Sequence, residues 1–412
     1  MFIYTDSLGP AVERRKRCSK NTRMPPVERK SKVALLLNII APARISFYSI
    51  LADYFDLMLL HGGEEANRTT WSGLERALPN ARVVRAWGWQ VHHAKKVRGE
   101  VFDEKFIHIT PGFLWHLLRF QPDAVVANEM GLRSVIALLY GGVFRKPVWI
   151  WWGGTLHSER NIGALRKILR KVISKWAGRW ISYGQTSTEY LVHLGVERDR
   201  ILQSQNAIDE EQFQTDGEPA WEIQPRPVVL CTGQLIERKG VTLLLDSAAK
   251  VQQFGHDFSL LIVGSGREKE ALQRRVRDLG LKNVQFRPAQ TPEKMPSVYR
   301  SADLMVFPTL EDVWGLVANE AVLSGIPVLC SKYAGCAPEL FPPENIFSPD
   351  DQSEFAQKLL LAVSGQLSKT DPGRLKSTRQ LGLELVQELN SVLPLAHGSL
   401  VSTPRESSFR KS

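Results

Sequence analysis

Cysteine is scarce in this sequence, with four in 412 residues. Cys18, Cys231, Cys330 and Cys336 have no paired spacing and no histidine companions at zinc distances. That excludes a disulfide framework and a zinc-finger site. Cys231 and Cys330 lie in apolar runs, and buried thiols fit a reducing cytoplasm. No run of about 18 apolar residues occurs, so no transmembrane helix is expected. No apolar segment follows the first basic residues, so no secretory signal is expected. Aromatic residues are nowhere interleaved with basic ones as a stacking motif, which argues against nucleic acid despite a pI of about 9.4.

What remains is globular composition, 43% hydrophobic and 23% charged. The length suits two or three domains of roughly 150 residues. The net charge is +10, but residues 1–32 alone hold nine Lys/Arg against three acids, a net of +6. This leader has no apolar period and reads as disordered. Met24 is an alternative start.

From residue 33 onward, short apolar runs alternate with helical patterns. KVALLLNII, FDLMLL, DAVVAN (123–128) and KPVWIWW (146–152) read as strands, with helices between them. Residues 207–226 interrupt the rhythm with Pro219 and Pro225 among polar residues and read as a linker. The rhythm then resumes with PVVLCTG, FSLLIVGSG, VQFRP, LMVFP and GIPVLCS as strands. The reading is α/β: two doubly wound, Rossmann-like domains facing across a cleft. The domains span 33–206 and 227–375. A last helix at 376–395 crosses back to the first domain or stays apart, and 396–412 is a loose tail.

Ligands of such sheets bind beyond the carboxyl ends of the strands, and the polar motifs lie there. CTGQLIERKGV places Gly233 at a strand end and Arg238 and Lys239 before a helix. Two cations at a helix start suit a diphosphate, or form a solvated pair on a loop. VGSGREKEAL holds Gly264 and Gly266, which let backbone approach a ligand closely. The dinucleotide fingerprint needs a third glycine where Lys269 stands, which disfavours NAD and FAD. In EDVWGLVANEAVLSGIPVL (311–329), Gly315 and Leu316 start a helix, with Asp312 on the loop and Glu320 in the second turn. Both carboxylates then face the cleft and can accept bonds from the vicinal hydroxyls of a ribose or hexose. Glu311 competes as the first acid, and helix capping by Asp312 is the alternative.

These motifs, in this order over about 204–349, resemble the nucleotide-sugar domain of retaining glycosyltransferases of family 4, which have the two-domain GT-B fold. FPTLEDVWGLVANE is similar to the family's acid, seven residues and Glu, with Asp312 for the first glutamate. TGQLIERKG is similar to its Gly-Arg-Leu…Lys-Gly segment, with Gln234 at the arginine position. SQNAIDEEQF resembles its Asn-Gly-Val-Asp entry, and AGCAPELF its Gly-x-x-Glu helix start near the diphosphate, with Glu339 as the acid. In the first half, LNIIAPARISFYSIL resembles the family's first loop, where Pro42 and Arg44 border the acceptor. WWGGTLHSERN puts Gly153 in the slot of the family's catalytic residue, with His157 or Glu159 a few residues on, or His157 as a helix cap.

The resemblance implies a retaining, hexose-transferring enzyme whose donor is a nucleotide-diphosphate sugar, with no cofactor. Lys239 and Arg238 stabilise the leaving phosphate, Glu320 holds the ribose and Asp312 the sugar hydroxyls. No Asp-x-Asp motif sits at a strand end, so no metal is expected. The acceptor side implies a glycan or a lipid-linked acceptor in cell-surface polysaccharide or glycolipid synthesis. Residues 163–180 support a membrane contact. Leu165, Ile168, Leu169, Val172, Ile173 and Trp176 form an apolar face, and Arg166, Lys167, Arg170, Lys171, Lys175 and Arg179 a basic one. The apolar face is expected to pack on the first sheet. The basic face is then left for an anionic membrane or acceptor, giving a cytoplasmic protein peripheral on the inner membrane face. The competing readings are a sugar-phosphate synthase, or a nucleotide-binding partner protein weakened by the departures at Gln234, Asp312 and Gly153.

Overall fold

Runs such as VALLL and VVLC have no polar face, so they are stable as strands only between two helical layers. The structure is a computed structural model and describes residues 30–63, 74–97 and 100–393. Residues 1–29 of the expected leader (1–32) and the expected tail from 396 lie outside these residues, while Lys32 begins the first strand.

The first domain opens with β1 (Lys32–Leu37), α1 (Ile45–Tyr54), β2 (Asp56–His61) and β3 (Arg82–Arg85). An antiparallel hairpin follows, β4 (Trp89–Val97) and β5 (Glu100–Ile109). Next come α2 (Gly112–Phe120), β6 (Ala124–Asn128), α3 (Leu132–Phe144) and β7 (Val148–Trp152). The domain ends with α4 (Ala164–Trp176), β8 (Arg179–Ser182), α5 (Gln185–His193) and β9 (Ile201–Gln203). Its sheet runs β3-β2-β1-β6-β7-β8-β9, all parallel.

The second domain begins with β10 (Val228–Thr232), α6 (Val241–Gln253), β11 (Ser259–Val263), α7 (Lys269–Asp278) and β12 (Val284–Arg287). It continues with α8 (Met295–Arg300), β13 (Leu304–Phe307), α9 (Leu316–Leu323) and β14 (Val328–Ser331). The remaining elements are α10 (Ala337–Leu340), β15 (Ile346–Phe347), α11 (Gln352–Val363) and α12 (Thr378–Asn390). The sheet runs β12-β11-β10-β13-β14-β15, again all parallel.

Side-chain alternation assigns the cores. On β1, Ala34 and Leu36 join α2, α3 and α4 on one face, while Val33 and Leu35 join α1 on the other. Each such leucine, fully buried, contributes about 2–3 kcal/mol. The last helix, α12, belongs to this second face: Leu381, Leu385, Val386 and Leu389 pack with α1, and Glu388 accepts from the indole of Trp149 at 2.9 Å. Its helix starts at Thr378, where the Ser377 hydroxyl accepts from Gln380 N–H. The stretch at 207–226 is no loose tether, since Ile208, Phe213 and Ile223 are buried in the second domain's core.

One expectation fails. The apolar stripe of α4 does not pack on the sheet. Only Ile173 is buried and Leu169 partly so, while Leu165 is 83% exposed. A sheet-packing helix offers the sheet a stripe about 100° wide, and a helix apolar over a wider arc leaves part of it uncovered.

Candidate active site at the strand ends

In both sheets the strand order reverses beside the first strand, at β1/β6 and β10/β13. Loops leaving these strand ends diverge to opposite faces and open a crevice. In the second domain those loops are 233–240 and 308–315, so the topology itself brings Lys239 to Asp312. The Lys239 ammonium lies 2.7 Å from the Asp312 carboxylate, and Arg238 is 3.7 Å from it. Arg238 also donates to the carbonyl of Glu311 at 2.8 Å. Burial pushes the Asp312 carboxyl up, but the Lys239 and Arg238 charges and the Trp314 N–H outweigh it and hold it below the ordinary range. A small recess adjoins Lys239, lined by Thr232, Gly233, Gln234, Phe307 and Pro308.

At Gly264 and Gly266 the protein's own backbone comes close. A Cβ on Gly264 would lie 1.9 Å from the Gly233 carbonyl oxygen, and one on Gly266 2.2 Å from that of Leu235. What approaches them closely is the neighbouring loop, whose Gly233 and Leu235 N–H groups donate to Val263 and Ser265. They shape the donor loop from behind. Gly315 has φ +103 and precedes α9, whose N-terminus has no side-chain cap; Leu316 is its first residue. Only glycine takes that φ cheaply.

Glu320 is half-buried on α9, and its carboxylate accepts from the Tyr299 hydroxyl at 2.8 Å. Burial raises its pKa to about 7, against the lowering effect of the Tyr299 bond. Tyr299, fully buried on α8, gave no signal in the sequence.

Three expected site residues are committed elsewhere. Glu339 accepts from Gln185 N–H at the start of α5, at 2.9 Å, and from the Gln205 amide at 2.8 Å. It joins the two domains at a helix N-terminus, where a carboxylate is stabilised. Glu159 pairs with Arg170 at 3.0 Å, both side chains 12% exposed, with the Tyr190 hydroxyl at 3.5 Å. His157 gives Nε2–H to the carbonyl of Leu310 at 2.9 Å and stacks on Tyr333 with centroids 3.6 Å apart. Burial lowers its pKa, so the ring is neutral at pH 7. With Arg160, which pairs with Glu311 at 3.3 Å, it fastens the first domain to the loop that carries Asp312. In this arrangement His157 helps position the Asp312 loop.

On the facing side, Pro42 opens a short turn that ends at Arg44. The Arg44 guanidinium lies over the Trp151 ring at 4.4 Å and donates to the Asn206 side chain at 2.6 Å. It therefore borders the cleft while tying it to the interdomain segment. The hairpin strand β5 lies against residues 237–239 of the second domain. Among the described residues, no group of three or more His, Cys, Asp or Glu is placed to hold a metal.

Residues 215–376 match the family described as Glycosyl transferases group 1. A D-inositol 3-phosphate glycosyltransferase of Nocardia farcinica is 32% identical over 184 residues, 41% of this chain and 41% of that protein. A GDP-mannose-dependent alpha-(1-6)-phosphatidylinositol monomannoside mannosyltransferase of Mycolicibacterium smegmatis is 29% identical over 225 residues, 52% of this chain and 56% of that one. The chain thus spans about half the length of these relatives. Among solved structures, Anabaena HepE in complex with UDP superimposes with a TM-score of 0.67 at 17% identity, covering 88% of this chain and 100% of that chain. Residues 215–376 are thus similar to the glycosyl transferases group 1, and the chain's two parallel-sheet domains have the GT-B fold.

Proposed function

We propose that the chain is a glycosyltransferase that moves a hexose, with retention, from a nucleotide-diphosphate sugar to a glycan or lipid-linked acceptor. The observation that carries this reading is the Lys239–Asp312–Arg238 cluster at the β10/β13 crevice. Before the donor binds, Asp312 neutralises Lys239. An arriving diphosphate competes for the same ammonium, and the leaving β-phosphate gains charge as the glycosidic bond breaks. Cations already fixed at that point lower the barrier, because they need not reorganise during the reaction. Asp312, released from Lys239, is free to accept from sugar hydroxyls, and Glu320 from the ribose. Gln234, beside the recess, leaves Arg238 to supply the second charge. No protein group here needs a metal to balance the leaving charge.

The names of the relatives, one acting on an inositol phosphate and one on a phosphatidylinositol mannoside, support an acceptor of lipid or polyol class. Glycolipid or cell-surface glycan synthesis on the cytoplasmic membrane face follows from that class. No described helix is long and apolar enough to cross a membrane, so contact by α4 is the proposed route. The test is a thermal-shift screen with UDP, GDP and their sugars. A ligand at 100 times its Kd adds about 2.7 kcal/mol. No shift with any nucleoside diphosphate contradicts the reading.

A further inference from the structure

Three of the helices covering one face of the first sheet expose an unusual amount of apolar surface. Helix α3 packs beside both α2 and α4, and all three send their inner residues into one core. Outward, α2 exposes Leu114, Trp115 and Leu118; α3 exposes Leu132, Leu139, Val143 and Phe144; α4 exposes Leu165, Ile168, Val172 and Trp176. These eleven side chains are 43–83% exposed. Soluble monomers rarely leave so many large apolar groups together. Not one carboxylate occurs in any of the three helices. Exposed cations border the apolar groups instead: Arg119, Arg145, Arg166, Lys167, Lys171 and Lys175. On α4 the 100° step per residue sets Lys167, Lys171 and Lys175 along one flank of the exposed stripe and the inward-facing Leu169 and Ile173 along the other.

We infer that this three-helix face docks on an anionic lipid bilayer, with the apolar side chains entering the headgroup boundary and the lysine row against lipid phosphates. Charge complementarity selects that occupant. A two-fold contact between copies would set one cationic face against another with no acid on these helices to pair. A bilayer supplies both the apolar phase and the anions. The position also suits the activity proposed above, on which the purpose of the docking, though not its test, rests. Helices α3 and α4 start at the cleft ends of β6 and β7, so Leu132 and Leu165 lie at the cleft edge. Trp87 and Trp89, 57% and 65% exposed, lie beside the start of α2, where Gly112 N–H donates to the Trp87 carbonyl. A bilayer on this face borders the cleft mouth, so a lipid-borne acceptor enters without leaving its membrane.

The test is flotation of the full chain with vesicles of phosphatidylcholine, with and without phosphatidylglycerol. Trp115, Val143 and Ile168 are 56%, 73% and 58% exposed, so Trp115→Gln, Val143→Gln and Ile168→Gln leave the core intact. Unchanged thermal midpoints and unchanged nucleotide-induced shifts check this and keep the result separate from the donor site. Each substitution is expected to lower partitioning onto the anionic vesicles about tenfold. The triple variant Lys167→Glu, Lys171→Glu, Lys175→Glu should lower it at least about 100-fold, at about fivefold per charge. The basic residues within 1–29 attract anionic vesicles by charge alone, so the apolar variants decide. Wild-type flotation of both Trp115→Gln and Val143→Gln overturns the inference. So does a self-association, seen by sedimentation velocity, that Val143→Gln abolishes while no vesicle binding occurs.

Discussion

Glu320→Gln tests how the nucleotide is held, through the pH dependence of binding. The Glu320 carboxyl has a pKa of about 7 against an ordinary 4.5. Ribose hydroxyls donate to a carboxylate better than to a carboxylic acid, so the ionised form is the binding form. Affinity for a nucleoside diphosphate should then rise with pH and level off above about 7. Between pH 8 and pH 6 the ionised fraction falls about tenfold, and so should the affinity. The diphosphate itself titrates near pH 6, but that contribution is shared by the variant. Glutamine does not titrate, so the ratio of wild-type to variant affinity isolates Glu320. Stability gives an independent readout. Below about pH 4.5 both folded and unfolded chains hold the proton. Between 4.5 and about 7 only the folded chain keeps it, so the folded state loses ground as pH rises. The accumulated deficit is on the order of 3 kcal/mol above pH 7. Glu320→Gln, which keeps an acceptor for Tyr299, should therefore stabilise the protein at pH 8 and not at pH 4.5. Calorimetric titration with UDP and GDP, plus urea unfolding at both pH values, measures the two effects. A wild-type-to-variant affinity ratio that stays flat from pH 6 to 8 refutes the reasoning.

Asp312→Asn releases Lys239 from its 2.7 Å partner, so bare nucleotide should bind as well as before or more tightly. The sugar-bearing donor should bind about tenfold more weakly, and calorimetry with both ligands separates the cases. Arg238→Ala should reduce turnover more than Gln234→Ala; the reverse order in steady-state kinetics would move the second charge to position 234. His157→Ala should destabilise the domain contact and lower kcat, because its bond to the Leu310 carbonyl fastens the loop that carries Asp312; thermal unfolding and steady-state kinetics check the two effects. Gly264→Ala should cost on the order of 3 kcal/mol in chemical unfolding, because its Cβ would meet backbone that cannot rotate away.

The donor half was legible because each motif there is local. Strand runs such as VVLC and LMVF end at polar turns, and topology alone brings Lys239 and Asp312 together once the order of β10 and β13 is known. What escaped the sequence depends on distant partners. Glu339 capping α5 and His157 bonding Leu310 both cross between domains, separated by 154 and 153 residues. Glycine spacing correctly signalled a close approach at Gly264 and Gly266, but not whether ligand or backbone was approaching. The β4–β5 hairpin went unread because it sits in neither sheet, leaving its sequence little of the apolar run that marks a sheet strand. Periodicity likewise identified the apolar stripe of α4 and could not say whether protein covered it.

Calorimetry of UDP and GDP against wild type and Lys239→Ala asks whether Lys239 holds a diphosphate at the β10/β13 crevice. One of the two nucleotides should bind wild type, and the variant should lose about 2 kcal/mol, or about 30-fold in affinity. Equal affinity for wild type and variant would place the phosphates elsewhere and contradict that role.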